Sequence, residues 1–477
     1  MGHQENQKHF LLVTYPLQGH INPGLEFAKR LIQTGAQVTF VTTVFAHRRF
    51  FKDSISVEIP TSLIPTISFP DSLKVAEFSD GYDDGVTPDE DQYLTELGHR
   101  GSEALSGLIE TFDNEGRPVT CLIYALFFPW AGEVAQKSGL PSALLWIQPA
   151  TLWAIYYYYY ICGYKELILH NIGDPSYSVQ LPGLPLLKSQ DLPSFFLPSD
   201  THAGIMKAVK YQFEILFQEP DRYPILVNTF DDLEPIALKV LDKFKLIGVG
   251  PFVPSAFLDG TAPPTSGADY IEWLDSKEKS SVVYVSFGSM AVLSGKQMKE
   301  LARGLVDSGK PFLWVIRSGE HGSNQQVKGD AKDEKYRDIL QEEHKGMVVP
   351  WCSQVEVLNH SSIGCFVTHC GWSSTLETLS MGVPAVAFPQ WSDQGTNAKL
   401  IEDDWKMGVR VKPNEEDNIV KGEEIVRCLK EVMEGDKGKE LLSNAKKWKK
   451  LAREAVKQGG SSESNIRAFV KEIGTRK

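Results

Sequence analysis

Two parts of this chain carry residue types whose spacing could do chemistry. The first is His20, in the run PLQGHINP that follows the apolar stretch Phe10–Thr14. Imidazole is the one side chain whose ordinary pKa lets it take a proton near neutral pH. The second is the stretch WCSQVEVLNHSSIGCFVTHCGWSSTLETLSMGVPAVAFPQWSDQ, from Trp351 to Gln394. It offers an aromatic face, a histidine, hydroxyls at a helix start, an acid one turn later and an Asp-Gln pair. In that order these groups suit a base, a diphosphate, a ribose and a hexose.

The elements that must position the second set are legible. Ile363–His369 is a short run of β-formers and reads as a buried strand. Cys370-Gly371 turns the chain into a helix, Trp372–Met381, which Gly382 and Pro384 end. A strand feeding a glycine turn and a helix start makes an anion site, because free N–H groups and the helix dipole converge there. Ser373, Ser374 and Thr375 add hydroxyls, and His369 stands at the strand's end. No GxxxxGK[ST] motif occurs, so a diphosphate would be held without a P-loop lysine.

Glu377 follows Ser373 by one helical turn, on the same face, and could accept both hydroxyls of a ribose diol. Trp351 follows a strand, Met347–Pro350, and offers an indole face to a flat base. Asp393 and Gln394 follow the strand Val383–Pro389 and suit a polyhydroxylated sugar. Singly, each has a plainer reading, since buried tryptophans are usually core and helix-start serines usually caps. The combination decides for chemistry.

Around His20 the pattern is strand, helix, strand. Asn22 suits an N-cap and Pro23 the first helical position; Leu25, Ala28, Leu31 and Ile32 share a face, and Gly35 ends the helix before the strand Gln37–Val41. His20 is thus expected in a loop at the carboxyl end of the first strand, where open α/β sheets bind ligands, with Gly19 removing bulk beside it. The second half restarts with a strand over Ser281–Ser289, a helix over Lys296–Asp307 and a strand over Pro311–Arg317. Alternation throughout predicts an α/β fold with parallel sheets. The Pro-, Gly-, Ser- and Thr-rich stretch Gly250–Gly267 reads as a linker.

The Trp351–Gln394 stretch and the PLQGHINP loop resemble the signature box and catalytic loop of the plant secondary-product UDP-glycosyltransferases, family 1. The resemblance covers nearly the whole chain. It implies the GT-B fold, with two Rossmann-like domains facing across a cleft. Residues 1–250 would bind the acceptor, 251–267 link, 268–458 bind the UDP-sugar, and 459–477 form a helix returning to the first domain. It implies Trp351 stacked on uracil, with Cys352 and Gln354 at the base or ribose, and Glu377 on the ribose. His369, Gly371, Ser374 and Ser289 would hold the diphosphate, and Trp372, Asp393 and Gln394 the sugar. Gln394, rather than histidine, points to glucose. Ser373 stands where the family usually has asparagine, a shorter donor that implies a weaker hold on the UDP-sugar.

The resemblance also makes His20 the base that deprotonates the acceptor, so that attack opposite UDP inverts an α-linked donor to a β-glucoside. The family usually backs this histidine with an aspartate about a hundred residues on. Here the run is CLIYALFFPW and that position is Ala125. Three readings stay open: slow catalysis, substitution by another residue or water, or an acceptor needing little deprotonation. A carboxylic acid, with a pKa of about 4, is already ionised at neutral pH; a phenol near 10 is not. The subgroup resembled includes anthocyanin 5-O-glucosyltransferases and enzymes that form glucose esters, so a small aromatic aglycone and a carboxylic acid both remain acceptors. A catalytically weakened sugar-nucleotide-binding protein is the alternative of another class.

Bulk properties set bounds. The 477 residues suggest two domains, and the net charge of −12 argues against nucleic acid as a partner. Six scattered cysteines fit a reducing compartment better than a disulfide framework. The polar first nine residues show no secretory core, so a cytoplasmic location is expected; the chain is also expected to act as a monomer. The uncharged stretch between Lys137 and Lys165 is long enough to span a membrane, but Pro141, Pro149 and Tyr156–Tyr160 divide it. It reads as a core strand and an aromatic helix beside an acceptor pocket of Gln18, Phe127, Phe128, Trp146 and Phe195. Lys437–Lys457 reads as a docked basic helix, and His321–Glu343 as a surface loop or weak helix. Asp89-Glu90-Asp91 matches a D-x-D pattern but reads as a solvated loop; no metal and no cofactor beyond the co-substrate UDP-glucose is expected.

Overall fold

A computed structural model describes residues 7–51, 72–197, 203–218, 224–240, 243–261, 268–317 and 346–473. Residues 262–267 of the expected linker and the 321–343 segment lie outside these. The chain divides into two compact units, one of Met1–Ser189, Phe195–Phe252 and Glu454–Lys477, the other of Gln190–Ser194 and Val253–Arg453.

The first unit is built on β1 (His9–Val13), β2 (Gln37–Thr43), β3 (Leu73–Phe78), β4 (Cys121–Ala125) and β5 (Ser142–Trp146). After a short antiparallel pair, β6 (Ser178–Val179) with β7 (Leu187–Lys188), come β8 (Ile225–Val227) and β9 (Leu246–Gly248). The parallel sheet has the order β3-β2-β1-β4-β5-β8-β9, so its winding reverses between β1 and β4. HFLLV and CLIYA are buried at every position, as strands covered on both faces must be. Phe10 and Leu12 of β1, with Cys121 and Ile123 of β4, share one core with Ile21, Leu25, Ala28 and Leu31 of the following helix. Ile466, Phe469 and Ile473 of the last helix, Ser461–Ile473, join it.

The helix after β1 starts earlier than expected. It runs Gln18–Gln33 with Leu17 at the N-cap and Pro23 inside it. Leu17 O accepts from both His20 N and Ile21 N at 2.9 Å. Burial of Ile21 at 0% exposure draws this extra turn in, although Pro23 has no N–H to give to the helix. His20 therefore rides on a helical turn and not in a loop. Gly19 faces open space, so packing does not require a glycine there.

The Asp89-Glu90-Asp91 segment is likewise not a solvated loop. Asp89 caps the helix Glu90–Asn114, accepting from Gln92 N at 3.1 Å. Glu90 accepts from Ile205 N at 2.8 Å and Asp91 pairs with Lys207, so both acids fix the start of the helix Ala203–Gln218. The uncharged segment forms β5 and the helix Ala150–Tyr160, which is buried from Ala150 through Tyr158. Among the described residues no helix is long and apolar enough to cross a membrane.

The second unit holds β10 (Val282–Ser286), β11 (Phe312–Val315), β12 (Gly346–Val349), β13 (Ile363–Thr368), β14 (Ala385–Ala387) and β15 (Gly408–Arg410). Its parallel order, β12-β11-β10-β13-β14-β15, reverses between β10 and β13. The basic helix Gly435–Val456 docks through Leu441, Ala445 and Ala452, each at 1% exposure or less. The segment Gln190–Ser194 belongs to this unit, an excursion the sequence reading missed. Arg410 reaches Asp191 at 2.7 Å and Gln190 O at 2.8 Å, and Thr396 Oγ1 donates to Asp191 O at 2.7 Å.

Glu234 is the group on which the buried aromatic helix starts. Its carboxylate accepts from Ala150 N, Thr151 N and Thr151 Oγ1 at 3.0, 2.9 and 2.8 Å. Replacing Glu234 by alanine should therefore lower stability by roughly 1–3 kcal/mol, the cost of stranding buried donors. Urea unfolding of Glu234→Ala against the parent checks this.

Candidate active site

The strongest grouping lies at the carboxyl ends of β10 and β13, the reversal point of the second sheet, where such sheets receive ligands. His369 stands directly after β13. Cys370 takes φ 64°, a left-handed turn unusual for a side-chain-bearing residue, and Gly371 caps the helix Trp372–Met381. A Cβ placed on Gly371 would come within 2.6 Å of His369 Nε2, and so would one on Gly288, which has φ 70°. The two glycines are therefore what lets both strand-end loops close onto one imidazole. Burial pushes the His369 pKa down to about 4, so it would offer an anion a neutral hydrogen-bonding group and not a cation.

One turn along, Gln354 Nε2 donates to Ser374 Oγ at 2.8 Å and to Glu377 Oε2 at 2.6 Å. Tyr284 OH, on β10, donates to Gln354 Oε1 at 3.4 Å and lies 3.4 Å from the Cys352 sulfur. The tyrosine fixes which end of the amide faces Glu377. Sequence reasoning missed Tyr284, although it is the one long hydroxyl-bearing side chain in the strand VVYVS. Burial raises Glu377 to about 7, opposed by the bond from Gln354. Trp351, half-buried, follows β12, while Cys352 is buried with its thiol turned to Tyr284 and its pKa pushed up to about 11.

At the next strand end, Asp393 is buried, accepts from Asn397 Nδ2 at 2.9 Å, and has its pKa raised by burial. Gln394 Oε1 accepts from Gln390 N at 2.9 Å and Trp391 N at 3.1 Å, which leaves its NH₂ group for a ligand. Ser194 clamps the same loop through Ser392 N at 2.6 Å and Ser392 O at 3.0 Å. Ser374 is buried, Ser373 half-buried and Ser289 exposed. Trp372 is 4% exposed and packs 6.0 Å from Trp405, so what it can offer a sugar is its helix-start N–H.

In the first unit, His20 lies against Tyr15 and Phe127, at ring distances of 5.4 and 5.7 Å, with Phe127 itself at φ 75°. Its Nδ1 is fully covered and has no hydrogen-bond partner among the described residues, so Nε2 is the nitrogen that can meet a substrate. Burial lowers its pKa to about 4. Of the expected acceptor pocket, Gln18 and Phe127 are half-buried on this turn and loop. Phe128 and Trp146 are core instead: they are 1% and 0% exposed, and the indole N–H of Trp146 donates to Pro149 O at 3.0 Å. Phe195 stays half-buried, and its neighbour Phe196 stacks 4.2 Å from Tyr159. Among the described residues no group of three or more His, Cys, Asp or Glu side chains could hold a metal, and all six cysteines are free.

Two doubly wound parallel sheets, with a histidine, hydroxyls and a carboxylate gathered at one reversal point, suit a sugar-nucleotide-dependent transferase. The family described as "UDP-glucoronosyl and UDP-glucosyl transferase" matches residues 254–450. The chain is 52% identical to the chloroplastic crocetin glucosyltransferase of Gardenia jasminoides and 53% identical to the phloretin 4'-O-glucosyltransferase of Malus domestica, with 98% of each chain covered. It superposes on the structure of Os79 from O. sativa in complex with U2F and trichothecene with a TM-score of 0.79, at 34% identity, over 97% of this chain and 100% of that one. The chain belongs to the plant family 1 UDP-glycosyltransferases, with the GT-B fold and glycosyltransferase activity.

Glu377 makes a pH test. Only the carboxylate accepts two hydroxyls, and it forms as pH rises through about 7, whereas His369 stays neutral across the same window. UDP affinity should therefore fall roughly tenfold between pH 8 and pH 6, with proton release on binding. Calorimetry should show this slope, and Glu377→Gln should bind weakly without it.

Proposed function

We propose that the chain transfers glucose from UDP-glucose, with inversion, to a hydroxyl of a small aromatic aglycone such as a flavonoid or anthocyanin. The observation that carries this reading is His20, a neutral imidazole with Nδ1 sealed, leaving Nε2 free to accept a proton. In the donor half, uracil stacks on Trp351, Glu377 and Gln354 take the ribose, and Ser289, His369, Gly371, Ser373 and Ser374 take the diphosphate. Asp393 and the NH₂ group of Gln394 take the glucose. The acceptor O–H gives its proton to His20 Nε2; the oxygen bonds to C1 of the sugar, and the C1–O bond to UDP breaks with UDP keeping the electron pair. No metal and no cofactor besides the co-substrate takes part. Six free cysteines suit a reducing compartment, and the enzyme is read as a cytoplasmic monomer.

A second acceptor class has its own observation. Ala125 ends β4 where the resembled family carries an aspartate, so no carboxylate backs His20 from that position. A carboxylic acid arrives already ionised and needs no base. The crocetin relative suits that reading and the phloretin relative the phenolic one.

His20→Ala should slow transfer to a phenol roughly 10²- to 10⁴-fold, the usual share of a general base, and leave UDP affinity unchanged. Near-normal turnover on a phenol would overturn the assignment. Product analysis decides between acceptors: mild alkali cleaves a glucose ester and spares a phenolic glucoside. EDTA should leave either rate unchanged, and a loss restored by added metal would refute the metal-free mechanism.

A further inference from the structure

The gap left by Ala125 has a definite chemical environment. Val13 of β1 pairs with Tyr124 of β4, so one step further along the register Thr14 lies beside Ala125. Phe10 and Leu12, with Cys121 and Ile123, face the helix Gln18–Gln33; Thr14 and Ala125 continue those two alternating rows and face it too. The contact is direct at Gly24, where a Cβ would come within 2.7 Å of Thr14 Cγ2. Gly24 follows His20 by four residues, one turn along the same helix face. Phe127, two residues past Ala125, lies against the His20 ring. Thr14, Ala125 and His20 thus bound one corner at the carboxyl ends of β1 and β4.

Two polar atoms in this corner are fully covered and without a partner among the described residues: Thr14 Oγ1, on a residue 1% exposed, and His20 Nδ1. Covered hydroxyls and imidazole nitrogens are nearly always hydrogen-bonded, and the usual partner where no protein group reaches is a buried water held by two or more polar atoms. The Ala125 side chain carries no polar group that could satisfy either atom.

We infer that Thr14 is the positioning residue for His20, acting through one buried water that takes the place of the family's aspartate. The water accepts from His20 Nδ1–H and donates to Thr14 Oγ1. That selects the tautomer with the proton on Nδ1, which leaves the Nε2 lone pair for the acceptor's proton. The device is neutral, so it orients the ring as a carboxylate would but stabilises the imidazolium less. The chain would therefore do better on acidic acceptors than on weakly acidic ones.

The inference rests on His20 as base, and the test separates the two. Thr14→Val keeps the shape and removes the hydroxyl. It should lower kcat on a phenol roughly five- to tenfold, the effect of one neutral hydrogen bond, with KM for UDP-glucose unchanged. The acidic limb of its pH–kcat profile should move to lower pH, since the protonated ring has lost support. Thr14→Ser should restore both, and adding Ala125→Asp to Thr14→Val should restore the rate. If His20→Ala is inactive while Thr14→Val keeps the parent kcat and pH limb, the inference fails and the base reading stands. If His20→Ala remains active, both fail. Should Thr14→Val not fold, the ¹⁵N spectrum of His20 in the parent decides: a proton on Nδ1 supports the inference and a proton on Nε2 overturns it.

Discussion

Everything at the donor end depends on how closely two loops approach the His369 ring. At Gly288 and Gly371 a single added carbon would sit 2.6 Å from its Nε2, inside any tolerable contact. With hydrogen in both places, the loop after β10 and the helix start after β13 close on one point, and the helix start brings its free N–H groups with it. A chain with a net charge of −12 has no favourable overall field for a diphosphate. The attraction must come from local dipoles and hydroxyls, and these act only at short range. Close approach is therefore the condition on which the proposed diphosphate site rests, and the glycines permit it.

Burial is the second theme, and it works differently on each titratable group. It drives His369 and His20 to the neutral form, which fits one as a hydrogen-bonding partner of phosphate and the other as a base. It lifts Glu377 and Asp393 even though a hydrogen-bond partner already holds each. Gln354 and Asn397 are those partners within the protein, and Tyr284 orients Gln354 in turn. Sugar hydroxyls would then add to a carboxylate already half-satisfied, at little reorganisation. The same logic gives the Ala125 corner its interest, since there a covered imidazole nitrogen lacks the carboxylate that would hold it.

The sheet reversals that place these groups follow from the run of elements, and the order of strands in both sheets agrees with alternating strands and helices in the sequence. Local chemistry was less predictable where packing competed with capping. Asn22 and Pro23 look like a helix start, yet burial of Ile21 moved that start back to Gln18 and put His20 on the helix. Trp146 and Phe128 look like ligand-facing aromatics, yet each is fully packed into the core. Aromatic type alone does not tell which face of an element a ring will occupy.

By itself the sequence determined the class of chemistry. Residue types at fixed spacing, His20 in the PLQGHINP run and the Trp351–Gln394 stretch, point to a sugar nucleotide because short-range turns and helix starts place neighbouring groups relative to one another. Only the tertiary structure decided the relations between distant segments. It set Tyr284 beside Gln354, tied Gln190–Ser194 to Arg410, Thr396 and Ser392, and laid Thr14 against Gly24, one turn from His20. Such contacts join residues as many as 219 positions apart, where no local periodicity carries information. They are fixed instead by sheet register and by which faces the core buries.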